Sequence, residues 1–194
     1  LADDGIKTGG DDGAIHNAAC ERLANFYFPK HFDFNKIYLA AYPPVVTSGG
    51  RRKPEVNNLL LKSINDGTLF LNFVGHGNPE VWTHEVVFEK SVTIPQLRNS
   101  RLFFLTAATC DFGYYDIPNY QSGTEQLVLL KEYGSIGVLS SSRLVFSGQN
   151  EAMNQAWVEI LFKANRDTLN LPLTLGKALF LLKRTYNSIN DRKY

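Results

Sequence analysis

The sequence is short of the features that would place it at once. It has two cysteines, Cys20 and Cys110, too few for a dense disulfide framework, and they leave the redox compartment open. No apolar run reaches membrane-spanning length. No block of one charge sign occurs. The formal net charge is +1, and the basic cluster Arg51-Arg52-Lys53 reads as a solvated loop, too narrow for a nucleic-acid footprint. No signal peptide is visible, which excludes nothing, because both ends read as cut: "LADDG" begins like the last residue of a strand. There is no internal repeat and no low-complexity segment. "TGGDDG" (8–13) lacks the Lys-Ser/Thr of a phosphate loop and the full dinucleotide fingerprint, and its aspartates would repel phosphate. A cap, a turn or a calcium-binding loop suits Asp11 and Asp12 better. Ser140, Ser141 and Ser142 lie in no GxSxG elbow, which argues against a serine hydrolase.

What is present is one domain's worth of core. The 194 residues are 44% hydrophobic and 20% charged, with no convincing internal boundary, so the expectation is a single catalytic-size domain over 1–194, a fragment of a larger protein. "AIHNAACERLANFYF" spaces Ile15, Ala19, Leu23 and Phe26 as one helical face, with Asp11 and Asp12 upstream as caps. "KIYLAAY" reads as a short strand and 43–54 as a flexible loop. "PEVNNLLLKSIND" reads as a helix with Pro54 near its start and Gly67 at its stop. "TLFLNFV", "RLFFLTAAT" and "SIGVLSSS" are strands. "GTEQLVLLKEY", "NEAMNQAWVEILFKAN" and "TLGKALFLLKRTYNSI" are helices. Strands that alternate with helices and read as continuous apolar runs predict an α/β fold: a three-layer α/β/α sandwich around a mostly parallel sheet.

In such sheets function gathers beyond the carboxyl ends of the strands. Those ends carry Asp3-Asp4, then Gly75-His76-Gly77, then Cys110-Asp111, then Ser140 to Ser142. An imidazole beside a thiol can take its proton and make it a nucleophile. Adjacent parallel strands would set His76 and Cys110 at one edge. An oxyanion needs backbone donors, and the N–H groups of Gly77 and Cys110 are the candidates, with the flanking glycines allowing close approach. Cys20, inside an amphipathic helix, reads as a small core hydrophobe. His31 and His84 read as ordinary surface or loop residues. A zinc site on His76 and His84 lacks helical spacing and has Pro79 between its members.

"NFVGHGNPEVW" and "FFLTAATCDFG", with "ADDG…IHNAACERLANF" upstream and "IGVLSSSRLVFSGQ" downstream, resemble the gingipain-like cysteine peptidases of caspase-type fold. The likeness covers most of the chain and leans toward the type IX secretion sortases (PorU-type) rather than the secreted gingipains. It implies Cys110 as nucleophile, His76 as general acid/base, and Gly77 with Cys110 as oxyanion donors. The family's acidic residue falls at Asp4 or Asp3, with Asp4 preferred. It also implies substrate contacts at Trp82, Phe146, Ser141 and an acidic residue among Asp11 and Asp12, with Asp12 preferred. No metal is implied at the site and no cofactor, with calcium admitted only as a structural ion. The implied partners are protein substrates bearing a C-terminal sorting domain, other secretion-system components and lipopolysaccharide, with no nucleic acid. The implied location is the outer face of the outer membrane or the exterior. Two alternatives stand beside this: a caspase-like scaffold without activity, and a flavodoxin-like binder of small molecules through the loop at 9–13.

Overall fold

The computed structural model describes residues 1–6, 11–164, 171 and 173–185. Its elements in chain order are α1 (Gly13–Arg22), β1 (Val45–Thr47), β2 (Gly50–Arg52), α2 (Pro54–Gly67), β3 (Phe70–Val74), β4 (Val81–Trp82), β5 (Phe88–Glu89), α3 (Lys90–Thr93), β6 (Phe103–Ala108), α4 (Gly123–Leu129), β7 (Ser135–Ser140), α5 (Ser147–Glu159) and α6 (Leu175–Thr185). The strands β3, β6 and β7 form a parallel sheet in that order. Beyond β3 the sheet is extended by single-residue parallel bridges, Ala2 to Val74 and Tyr38 to Ala2.

Every residue of β6 is buried, as a strand covered on both faces requires. Successive side chains go to opposite layers. Phe103, Leu105 and Ala107 join Val56, Leu60 and Ile64 of α2 and Leu127 of α4. Phe104 joins Met153, Trp157 and Val158 of α5 and Ala178 and Leu182 of α6. Ala108 meets Ala19 and Cys20 of α1 together with Val74. The three-layer α/β/α expectation is therefore met. So is the reading of Cys20 as a core residue, 8% exposed.

Three local expectations fail. "KIYLAAY" is not a strand: Tyr38 makes one bridge and Leu39–Ala41 winds into a 3-10 turn. The stretch 43–54 is not a flexible loop, because β1 and β2 pair in an antiparallel hairpin through Val45↔Arg52 and Thr47↔Gly50. And the helix expected over 14–28 does not bury Ile15, on α1, or Phe26, on the π-helical turn Leu23–Tyr27 that follows it; they are 49% and 66% exposed. The inner face of α1 is Gly13, His16, Ala19 and Cys20, continued by Leu23. The rotation follows from close packing. A methyl group on Gly13 would collide with the Asp4 backbone, so α1 lies hard against the first strand end. Only small or planar side chains fit in that seam. The end of the last expected helix falls at 186–189, outside the described residues.

Candidate active site

The β3–β6 register pairs Val74 with Ala108. His76 and Cys110 each lie two residues past that pair, so they leave the sheet side by side. Both line one cavity of about 50 Å³, shared with His16, Val74, Val145 and Asn150. A larger cleft of about 800 Å³ lies near the start of β3, among Leu1, Phe28 and Phe70, and includes neither residue.

His76 is fixed on three sides. Its N–H donates to Asp3 Oδ2 at 2.9 Å, and its carbonyl accepts from Thr83 N–H at 2.9 Å. Its ring Nε2 lies 3.0 Å and 3.1 Å from the two oxygens of Asp12. Asp12 is the N-cap residue of α1, yet its side chain makes no capping bond. Asp11 Oδ1 instead accepts from the Gly13 N–H at 3.0 Å, which frees the Asp12 carboxylate for the imidazole. A neutral imidazole that donates Nε2–H to a carboxylate carries its lone pair on Nδ1.

Cys110 is presented on a sharp corner. The next residue, Asp111, has φ +53°, the left-handed region, which few residues other than glycine adopt. The corner is tied down by Asp111 N–H to Arg143 O at 3.4 Å and Gly113 N–H to Ser141 O at 2.9 Å. Cys110 Sγ donates to Val145 O at 3.5 Å. Burial pushes the Asp111 carboxyl up, opposed by the Arg143 guanidinium. Among the described residues neither the Gly77 nor the Cys110 N–H has a backbone acceptor.

Other expected site residues lie elsewhere. The carboxylate of Asp4 does not meet His76. It is buried against Lys53 Nζ at 2.7 Å and Arg51 Nη2 at 2.5 Å. Arg51 Nε also lies 3.0 Å from Glu85 Oε1. The basic cluster is thus no solvated loop: Lys53 is 1% exposed and also donates to the Leu39 carbonyl. Of the two adjacent acids, Asp3 is the one bound to His76, through the backbone. Trp82 is fully buried, stacked between Phe73 at 4.5 Å and Phe88 at 4.4 Å, so it is core rather than a substrate wall. Ser141 is buried and spends its hydroxyl on the Thr109 carbonyl at 2.6 Å. Phe146 is 73% exposed just before α5, between the cavity-lining Val145 and Ser147. The two glycines serve packing. A methyl at Gly75 would strike the Asp3 side chain, and one at Gly77 would lie 2.5 Å from Thr109 Oγ1.

Three contacts of His76 were not foreseen as such. Asp12 holds its ring. His16 stands edge-on to it with ring centroids 5.3 Å apart, and the ring of the exposed His84 lies 5.6 Å away. The spacing Asp12-x3-His16 was the available signal, since residues four apart share a helix face. The phosphate-loop reading of 8–13 falls partly on 8–10, outside the described residues.

The model of peptidase family C25 matches residues 1–194. The fold is similar to that of the complex of Porphyromonas gingivalis RgpB pro- and mature domains, with TM-score 0.63, 18% identity, and coverage of 95% of this chain and 41% of that chain. It is equally similar to the Arg-specific cysteine proteinase gingipain R (RgpB), with TM-score 0.63, 19% identity, and coverage of 95% and 40%. A third structure, described as a protease, has TM-score 0.52 at 17% identity and covers 69% of this chain and 32% of that one. The chain spans about two fifths of the RgpB chains it matches. Among curated protein sequences none matches it.

Proposed function

Because the chain belongs to peptidase family C25, the gingipain-like cysteine peptidases, we propose that it cleaves peptide bonds through Cys110, with His76 as its acid/base and Asp12 as the residue that orients His76. The observation that carries this reading is the Asp12 carboxylate on the Nε2 of His76, a residue that lines one cavity together with Cys110. With Nε2–H held by Asp12, the Nδ1 lone pair takes the thiol proton. The thiolate adds to the substrate carbonyl carbon, and the N–H groups of Gly77 and Cys110 receive the oxyanion. Collapse breaks the C–N bond, and the imidazolium returns its proton to the departing amine. The remaining thioester is opened by water, or by an amine where an acceptor is bound and water is excluded.

The strand-end motifs support a narrower assignment within the family: a type IX secretion sortase at the outer face of the outer membrane. It removes C-terminal sorting domains from cargo and transfers the new C-terminus to a lipopolysaccharide amine. Its partners are then the cargo and other components of that secretion system, and it needs no cofactor.

The test compares the parent with Cys110→Ala on cargo that carries a sorting domain and on an unrelated peptide library. The variant should be folded and inert; undiminished cleavage by folded Cys110→Ala would sink the peptidase reading. Mass spectrometry of the products in the presence of an amino sugar separates the two fates of the thioester. Only water-derived carboxyl termini would remove the transferase part.

A further inference from the structure

Asp12, His16 and His76 bring an oxygen and two nitrogen ligand atoms within 4.8 Å of one another. Two of the donors come from α1 at helical spacing, Asp12 and His16, and the third from the end of β3. The pair already formed, His76 Nε2 to Asp12 Oδ1, is 3.0 Å apart. Donors around a tetrahedral zinc ion, bonded at about 2.0–2.2 Å, stand roughly 3.3 Å apart. A small movement of the His16 ring would close the set. The donor chemistry discriminates among cations: two imidazoles and one carboxylate suit zinc-class ions and not calcium or magnesium, which take oxygen. Solvent reaches the site because the His76 and Asp12 side chains are 32% and 26% exposed, while His16 forms its buried floor.

We infer that Asp12, His16 and His76 form an inhibitory site for a zinc-class divalent cation. The inhibition, though not the binding, rests on the peptidase reading above. A metal on Nε2 displaces the hydrogen from that nitrogen, and a neutral imidazole ligated there carries its hydrogen on Nδ1. The lone pair that would take the Cys110 proton is then gone. The ion also draws the Asp12 carboxylate away from its role as acceptor. His16, which is not part of the proposed chemistry, becomes the residue through which metal control and catalysis can be separated.

The experiment titrates the chelator-treated protein with Zn²⁺ alone by calorimetry, and with Co²⁺ by visible absorption, which reports tetrahedral ligation. The parent should bind one ion. His16→Gln should weaken binding by about 100-fold or more, beyond what loss of an outer-shell partner costs, and the cleavage it retains without metal should no longer be inhibited by zinc. His84→Gln should bind as the parent does, which excludes a site built on the exposed ring. If His16→Gln does not fold, Asp12→Asn serves for the binding measurement, with the same loss expected. Parent protein that binds no zinc, or variants at Asp12 and His16 that bind it undiminished, overturn the proposal. An inert parent that binds zinc through these residues would instead retain the metal site and overturn the peptidase reading.

Discussion

At the scale of single residues, two aspartates carry different burdens, and substitution should separate them. Asp12→Asn keeps the shape but replaces the carboxylate with an amide whose NH2 can face Nε2, so the imidazole is no longer held in the tautomer with hydrogen on Nε2. The expected result is a fall in kcat of about 100- to 10,000-fold with little change in melting temperature, measured on a peptide substrate. Asp4→Asn should do the reverse. Removing one member of a buried ion pair costs about 3–5 kcal/mol. The protein should melt earlier while the folded fraction keeps its kcat. Had Asp4 oriented the histidine, as its place at the strand end suggested, the two phenotypes would be exchanged. The thiols differ as well: burial pushes the Cys20 thiol up, so iodoacetamide near neutral pH should label Cys110 first, as peptide mapping would show. Gly77→Ala should lose both stability and activity through its clash with Thr109 Oγ1. Adding Thr109→Ala should recover part of the stability, a coupling that a double-mutant cycle measures directly.

Between residues and the whole lie the elements, and here the sequence was readable only where burial is uniform. The strands β3, β6 and β7 stood out because covered strands are continuous apolar runs. α2 stood out because Val56, Leu60 and Ile64 recur every fourth residue between Pro54 and Gly67. The hairpin β1–β2 was hidden because its residues are largely exposed and its glycines and prolines resemble those of any loop. Its contribution is electrostatic and long-range: it delivers Arg51 to Asp4 and Glu85. α1 and the turn after it misled because the large apolar side chains of Ile15 and Phe26 are exposed, while the buried face of α1 is built from glycine, histidine, alanine and cysteine. That His76 and Cys110 leave adjacent strands side by side was legible because motif and topology agreed on their placement. The role of Asp12 was not, since an aspartate before a helix has a local use as a cap and nothing local indicates that another residue has taken that use. An Arg51→Met substitution tests the hairpin's role. With both Asp4 and Glu85 left short of a cation, the loss should be about 3–5 kcal/mol in denaturant melts.

For the molecule as a whole, the buried charge beneath the site predicts how stability varies with pH. Burial first, and the neighbouring Asp4 second, push the Glu85 carboxyl up from its ordinary value of 4.5, outweighing the opposing pull of a backbone hydrogen bond and the Arg51 guanidinium. The folded state therefore holds a proton that the unfolded chain releases. Stability contributed by this group is full below pH 4.5 and declines as pH rises from there through the raised folded value. Glu85→Gln should flatten that part of the curve, as thermal unfolding followed from pH 4 upward would show. A parent curve with no such decline, or one that Glu85→Gln leaves unchanged, would assign the pH dependence to other groups.

The unused cap of α1 has one more consequence. With the N-cap carboxylate lent to His76, the Asp11 bond to the Gly13 N–H stands in for it, and an aspartate added back to capping duty is worth about 1 kcal/mol. Removing the imidazole should hand the carboxylate back. Amide exchange in the first turn of α1 should then slow in His76→Ala, so that a dead enzyme holds the firmer helix. One carboxylate would thus set turnover and rigidity against each other, and selection for a more durable protein would tend to draw it away from the histidine.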